Sequence, residues 1–169
     1  MVSPYVLVKT ALFSALVPGT VAGAIPQFLA RRDRGFLPIG SRTARLAGGG
    51  SLLAGILLYA HTAWRFSDEG RGTPSPHDEP EELVTGGVYA HVRNPMYVAV
   101  LLCIAGQALL YRSALALWWA VACLLGFHNR VTEYEEPHLR EKHGEAYDRY
   151  CERVPRWLPR LRSAEDPDR

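Results

Sequence analysis

With three cysteines, no glycine-rich phosphate loop and no histidine pair at metal spacing, this 169-residue chain rules out several kinds of chemistry before it offers one. Cys103, Cys123 and Cys151 make no framework, since neither a CxxC pair nor a metal-ligand spacing connects them. Cys103 and Cys123 lie in apolar runs, where a free cysteine serves as a small hydrophobe. The six histidines are scattered; His138 and His143 stand five apart, whereas four would align two ligands on a helix face. No metal site is expected. A GxGxxG run is missing, which removes the Rossmann phosphate cradle, and no Ser/His/Asp grouping stands out. The net charge of +2 argues against a nucleic-acid partner. Nor is a cleavable leader expected: the first apolar segment carries Lys9 and runs into Pro18, Pro26 and an arginine cluster, not a small-residue cleavage site.

Charge is scarce where a soluble helical protein would intersperse it. Mean hydropathy is −0.06, ordinary for a soluble protein, but the apolar residues are gathered into 5–30, 46–64, 96–111 and 114–128. Helices of a soluble bundle carry charge every third or fourth position, and these segments do not. Residues 5–30 exceed the roughly 20 residues a bilayer crossing needs. Pro18-Gly19 and Pro26 are expected to kink or break that helix, which leaves a spanning and a re-entrant path both open. Residues 46–64 make a second crossing, in which Gly48-Gly49-Gly50 and Gly55 leave room for close helix contact or a ligand. The runs 96–111 and 114–128, split by Arg112-Ser113, are each slightly short and would cross as a tight hairpin begun at Pro95. A buried hairpin in a soluble core is the competing reading. The expected fold is all-α, an integral-membrane bundle of about four membrane helices with a cytosolic C-terminal helical cap. In that cap Pro137 should begin a new helix after Glu136, and Tyr147, Tyr150 and Val154 share one face.

What the chain does contain is a polar strip, Gly87-Val88-Tyr89-Ala90-His91-Val92-Arg93-Asn94-Pro95-Met96-Tyr97, at the mouth of the hairpin, with Glu135-Glu136 where the hairpin returns. Polar groups at a membrane boundary are costly unless used. Arg93 can grip a carboxylate with two hydrogen bonds, or snorkel to headgroups. Asn94 can donate and accept toward a ligand, or cap the helix. Glu135 and Glu136 can be solvated charges, or acceptors for hydroxyl or ammonium groups. Arg130, about a turn earlier, can pair with an acid or hold an anionic substrate group. The tail Arg153-Val154-Pro155-Arg156-Trp157-Leu158-Pro159-Arg160 suits an anionic membrane surface, with Trp157 at the interface.

From about Gly70 to Leu161 the chain resembles the isoprenylcysteine carboxyl methyltransferase and phospholipid methyltransferase superfamily of integral-membrane enzymes. Five pieces in order carry the resemblance: Leu83-Val84-Thr85-Gly86-Gly87-Val88-Tyr89, Val92-Arg93-Asn94-Pro95-Met96-Tyr97, Glu135-Glu136, Gly144-Glu145-Ala146-Tyr147 and Arg153-Val154-Pro155. The family pattern has Arg-His-Pro where this chain has Arg93-Asn94-Pro95, so a role that needs a titrating imidazole does not transfer. The resemblance implies S-adenosylmethionine as methyl donor and a lipid or prenylated small molecule as acceptor, either an isoprenylcysteine-type carboxylate or a phospholipid amine. Leu83, Val84, Tyr89, Asn94, Pro95, Met96, Tyr97 and Glu135 are its implied cofactor contacts. Arg93 joins them through its guanidinium, and Arg130 and Glu136 are the candidate catalytic residues. The implied division is residues 1–69 as N-terminal membrane helices, 70–162 as the methyltransferase core and 163–169 as a disordered tail. Competing functions are an NADPH-dependent, sterol-reductase-like membrane enzyme and a non-catalytic membrane scaffold. Orientation is set by opposing signals: the connector 31–45 holds five arginines and one aspartate, which favours the cytoplasm, but the loop and tail are also rich in basic residues. The active site is placed facing the cytoplasm, on the side of its implied cofactor.

Overall fold

The described residues of the computed structural model are Leu12 and residues 15–33, 37–68 and 83–160. Loop residues 69–82, the expected tail 163–169 and residues 5–11 of the first apolar run lie outside them. Among the described residues every regular element is helical. Helix α1 (Ile25–Arg32) is entered through a π-turn (Thr20–Ala24), and α2 is Ser41–Asp68. A 3₁₀ turn (Gly87–Ala90) precedes α3 (Pro95–Tyr111). Helix α4 (Ala114–Arg130) passes through a second π-turn (Val131–Glu135) into α5 (Glu136–His143), and α6 is Glu145–Arg153.

Pro26 and Pro137 each stand in the first turn of an α-helix, α1 and α5, as expected of Pro137, but the chain reaches both helices through a π-turn without leaving helical backbone. A helix-interior proline lacks an N–H and crowds the carbonyl four residues back. Here both are absorbed by a π-turn placed just before: Ile25 N–H reaches back five residues to Thr20 O, and Glu136 N–H to Val131 O. A π-bulge shifts the hydrogen-bond register without ending the helix. With Ile25 N–H turned to Thr20 O and no N–H on Pro26, the carbonyls of Val21 and Ala22 lose their ordinary i+4 donors. Side chains take their place, with Trp119 Nε1 donating to Val21 O at 2.9 Å and Gln107 Nε2 donating to Ala22 O. Helices α1, α3 and α4 are joined through those two bonds.

The segments Ser41–Arg65 and Ala114–His143 are each long and apolar enough to cross a bilayer, and only 22% and 17% of their most apolar windows are buried. Leu53, Ile56, Leu57, Trp118 and Leu125 are exposed. A continuous apolar surface of this kind marks a lipid-facing helix, so the soluble-core reading of the hairpin does not hold. The shorter apolar helix α3 lies against α2 along a seam of small residues. A Cβ on Gly55 would come within 2.7 Å of Cys103 Sγ and 2.8 Å of Ala99 O, and one on Gly48 within 2.8 Å of Gly106 O. Ser51 Oγ completes the seam by donating to Leu102 O at 2.9 Å. Gly49 and Gly50 face open space; of the four glycines in the run, Gly48 and Gly55 make the contact.

At one end of the bundle Ser113 caps α4 by accepting the Ala116 N–H at 3.1 Å, and its hydroxyl donates to Asp33 Oδ2 at 2.6 Å. Asp33 Oδ2 also takes the Leu115 N–H at 2.9 Å. The connector after α1 is thereby fixed under the α3–α4 turn. The polar strip, α5, α6 and the tail all gather at the other end.

Candidate active site

The strip owes its path to one glycine. Gly87 has φ +59°, in the left-handed region, and a Cβ there would strike the Arg65 guanidinium. Beyond the 3₁₀ turn the backbone pairs with the C-terminal tail: Arg93 N–H donates to Pro155 O at 2.9 Å and Arg160 N–H to His91 O at 3.0 Å. Tyr150 Oη donates to Tyr89 O at 2.8 Å, and burial pushes this phenol above its ordinary pKa. Tyr147 and Val154, on the face expected to pack, are both buried.

Asn94 stands at the N-cap of α3, but its side chain does not cap. Its Nδ2 donates to Arg156 O at 3.2 Å, and no side chain caps the first turn. Pro95 occupies the first turn of α3 and is buried. Two residues on, Tyr97 Oη donates to Glu135 Oε1 at 2.5 Å, and Arg130 Nε donates to the same oxygen at 2.8 Å. Arg130 and Glu135 are five apart, which in a regular α-helix would leave them roughly 140° out of line. The π-turn between them adds the extra residue per turn that brings them together. Pro137, through the wide turn it imposes, thus places Arg130 against Glu135. The Tyr97 ring stacks on Phe127 (centroids 4.6 Å apart) and stands 6.4 Å from Trp157. Trp157 Nε1 in turn donates to His128 Nδ1 at 3.3 Å.

Glu136, adjacent in sequence, belongs to a different cluster. Its side chain is 5% exposed and is bracketed by guanidinium groups: Arg156 Nε at 2.6 Å and Nη2 at 3.0 Å on its two oxygens, Arg93 Nη1 at 3.1 Å and Arg140 Nη2 at 3.6 Å. Arg93 Nη1 also donates to Cys151 Sγ at 2.7 Å. The hydrogen bond to Glu136 holds the Arg156 guanidinium above its ordinary pKa. Burying a carboxylate is costly unless geometry and hydrogen bonding are both supplied, and here they are.

This geometry can be set beside known proteins. A family model for phospholipid methyltransferase matches residues 43–146, more than half of the sequence. The chain belongs to the phospholipid methyltransferase family. Similar to this family member are protein-S-isoprenylcysteine O-methyltransferase B of Arabidopsis thaliana, 36% identical over 83 residues (48% of this chain, 42% of the relative), and protein-S-isoprenylcysteine O-methyltransferase of Schizosaccharomyces pombe, 34% identical over 86 residues (50% and 36%). The matched stretch spans less than half the length of either relative.

In this family member the structure gathers Tyr89, Arg93, Asn94, Pro95 and Tyr97 with Arg130, Glu135 and Glu136 at one end of the bundle. Leu83, Val84 and Met96 are half-buried in or beside the strip. Arg93 faces Glu136 and Cys151, so the snorkelling alternative does not describe it. The tail differs most from its reading as a membrane-surface segment, since Arg156 is turned inward to Glu136 and Trp157 lies on the Tyr97 side of the site. Sequence reasoning missed Phe127, His128, Cys151, Arg156 and Trp157 as site residues. The available signal was Pro155, which ends α6 and turns the chain back toward the strip. No group of three metal-ligating side chains occurs among the described residues.

Proposed function

We propose that this chain is an integral-membrane methyltransferase that moves a methyl group from S-adenosylmethionine to a lipophilic acceptor, an isoprenylcysteine-type carboxylate or a phospholipid amine. The observation that carries the reading is the Tyr97–Glu135–Arg130 group beside the Asn94-Pro95 strip, at the end of a lipid-facing bundle, in a chain of this family. The residues present fit the cofactor. Glu135 is a half-exposed carboxylate with lone pairs left for ribose hydroxyls or an ammonium. The α3 first turn carries no side-chain cap, so its N–H groups are open to an anionic group. The faces of Tyr97, Phe127 and Trp157 suit a cationic sulfonium. Leu83, Val84, Tyr89, Asn94, Pro95 and Met96 are the further cofactor contacts this reading assigns.

When bound, the cofactor supplies an electrophilic methyl that the acceptor takes by in-line displacement. The chain's own part is to hold the two partners close and keep water out, which can account for much of such an acceleration. Arg130, 43% exposed and fixed by Glu135, is placed to hold an anionic acceptor group. A carboxylate acceptor needs no base. An amine would have to lose a proton, and Glu135 is the carboxylate in place to receive it. The site faces the cytoplasm in this reading, on the side of its cofactor.

Equilibrium binding to the detergent-purified chain tests the assignment. Wild type should bind S-adenosylmethionine and Glu135→Ala should bind it at least about tenfold more weakly, a loss of roughly 1.4 kcal/mol. Equal affinity in the variant would remove Glu135 from the site, and binding of NADPH in place of S-adenosylmethionine would overturn the reaction. Lipid extracts incubated with methyl-labelled cofactor and read by mass spectrometry would identify the acceptor.

A further inference from the structure

Two neighbouring glutamates are held in different ways, and the difference assigns them different work. Glu135 shares one oxygen with Tyr97 and Arg130 and is 27% exposed, whereas Glu136 is 5% exposed with guanidinium groups on both oxygens. A carboxylate engaged in this manner has no lone pair directed at a reactant and is a poor proton acceptor. What it does have is reach across three segments. Through Arg93 it holds the strip, through Arg140 its own helix, and through Arg156 the tail that follows α6.

The tail is where the consequence lies. Arg156 is fixed twice, by its side chain to Glu136 and by its carbonyl, which accepts from Asn94 Nδ2. The backbone pairs Arg93 N–H to Pro155 O and Arg160 N–H to His91 O flank it on either side. The next residue, Trp157, closes the aromatic group around Tyr97 and His128, and Tyr97 donates to Glu135. A contact chain therefore runs Glu136, Arg156, Trp157, Tyr97, Glu135. We propose that Glu136 is a positioning residue, seating the Pro155–Arg160 tail as one wall of the cofactor site through Arg156, and does not itself touch the reactants. This rests on the methyltransferase reading and deepens it.

The test compares two ligands that differ in charge at sulfur, S-adenosylmethionine (a sulfonium) and S-adenosylhomocysteine (a neutral thioether). Affinities of the full chain in detergent are measured well below its unfolding midpoint, with wild type, Glu136→Gln, Arg156→Gln and Arg156→Lys. A seated wall serves both ligands, so Glu136→Gln and Arg156→Gln should each weaken both by a similar factor, about tenfold, leaving their ratio unchanged. Arg156→Lys keeps a cation for Glu136 and should recover most of that loss. A Glu136→Gln effect confined to S-adenosylmethionine would mean that Glu136 faces the sulfonium directly, and the proposal would be wrong. Wild-type affinity for both ligands in Arg156→Gln would overturn it equally, and in that variant Arg93 and Arg140 still meet the Glu136 carboxylate. Failure of wild type to bind either ligand would instead defeat the methyltransferase reading on which the proposal stands.

Discussion

The two π-turns solve the same problem in different surroundings. Each precedes a helix-interior proline, Pro26 or Pro137, and each shifts the backbone register by one residue. In the apolar layer the freed carbonyls of Val21 and Ala22 are met by Trp119 and Gln107, side chains contributed by two other helices. At the polar end the register shift is put to another use, aligning Arg130 with Glu135. The backbone device is common to both; what it builds differs with the side chains around it. In the apolar layer water is no alternative partner, so donors from other helices make the turn a structural joint. At the polar end the same irregularity brings two charged side chains together, and π-turns are frequent at functional sites.

The comparison can be broken most forcefully at the apolar turn. Replacing both donors, as Gln107→Leu with Trp119→Phe, should cost about 2–4 kcal/mol, since each unmet carbonyl costs roughly 1–3 kcal/mol. The sum is reduced because Gln107 Oε1 is itself buried without a partner and is removed in the exchange. Thermal unfolding in detergent reads this directly, and an unchanged midpoint would show that water or rearranged backbone meets those carbonyls. A second measurement is sharper though smaller. Pro26→Ala restores an N–H that can reach Ala22 O, so the cost of Gln107→Leu should fall by about 1 kcal/mol in that background; additive effects would separate Gln107 from the proline. The smallest change in stability is expected at the polar turn. Pro137→Ala permits a regular helix, and loss of the Arg130–Glu135 pair, exposed as it is, should cost no more than about 0.5–1 kcal/mol. Cofactor affinity should nevertheless fall several-fold as Glu135 loses one of its two partners. Destabilisation without a change in affinity would sever the link between this turn and the site.

Much of the site could be read from the sequence, because its pieces are short and ordered. Tyr97, Asn94-Pro95 and Glu135 were identifiable as a polar group at a membrane boundary, and they do converge. Apolar segregation likewise located α2, α3 and α4. The helix ends were less readable. Pro137 reads as a start signal by its local chemistry and does open α5, but nothing local foretells the π-turn that joins that helix to α4. Arg156 and Trp157 were read as a membrane-facing tail for a comparable reason. A run of arginines around a tryptophan carries no record of a buried acid twenty residues earlier, and only the turn at Gly144 and the return at Pro155 bring the two together.

The amino-acid sequence by itself determined that this is a helical membrane protein with a polar strip and an acidic pair at one end of a hairpin, because segregated hydropathy, proline and glycine act locally and leave local marks. Only the tertiary structure decided which glutamate holds the tail and which one faces Tyr97. Adjacent residues on a helix point about 100° apart, and what each then meets depends on side chains brought from elsewhere in the chain: Arg93 and Arg156 for Glu136, and Tyr97 for Glu135.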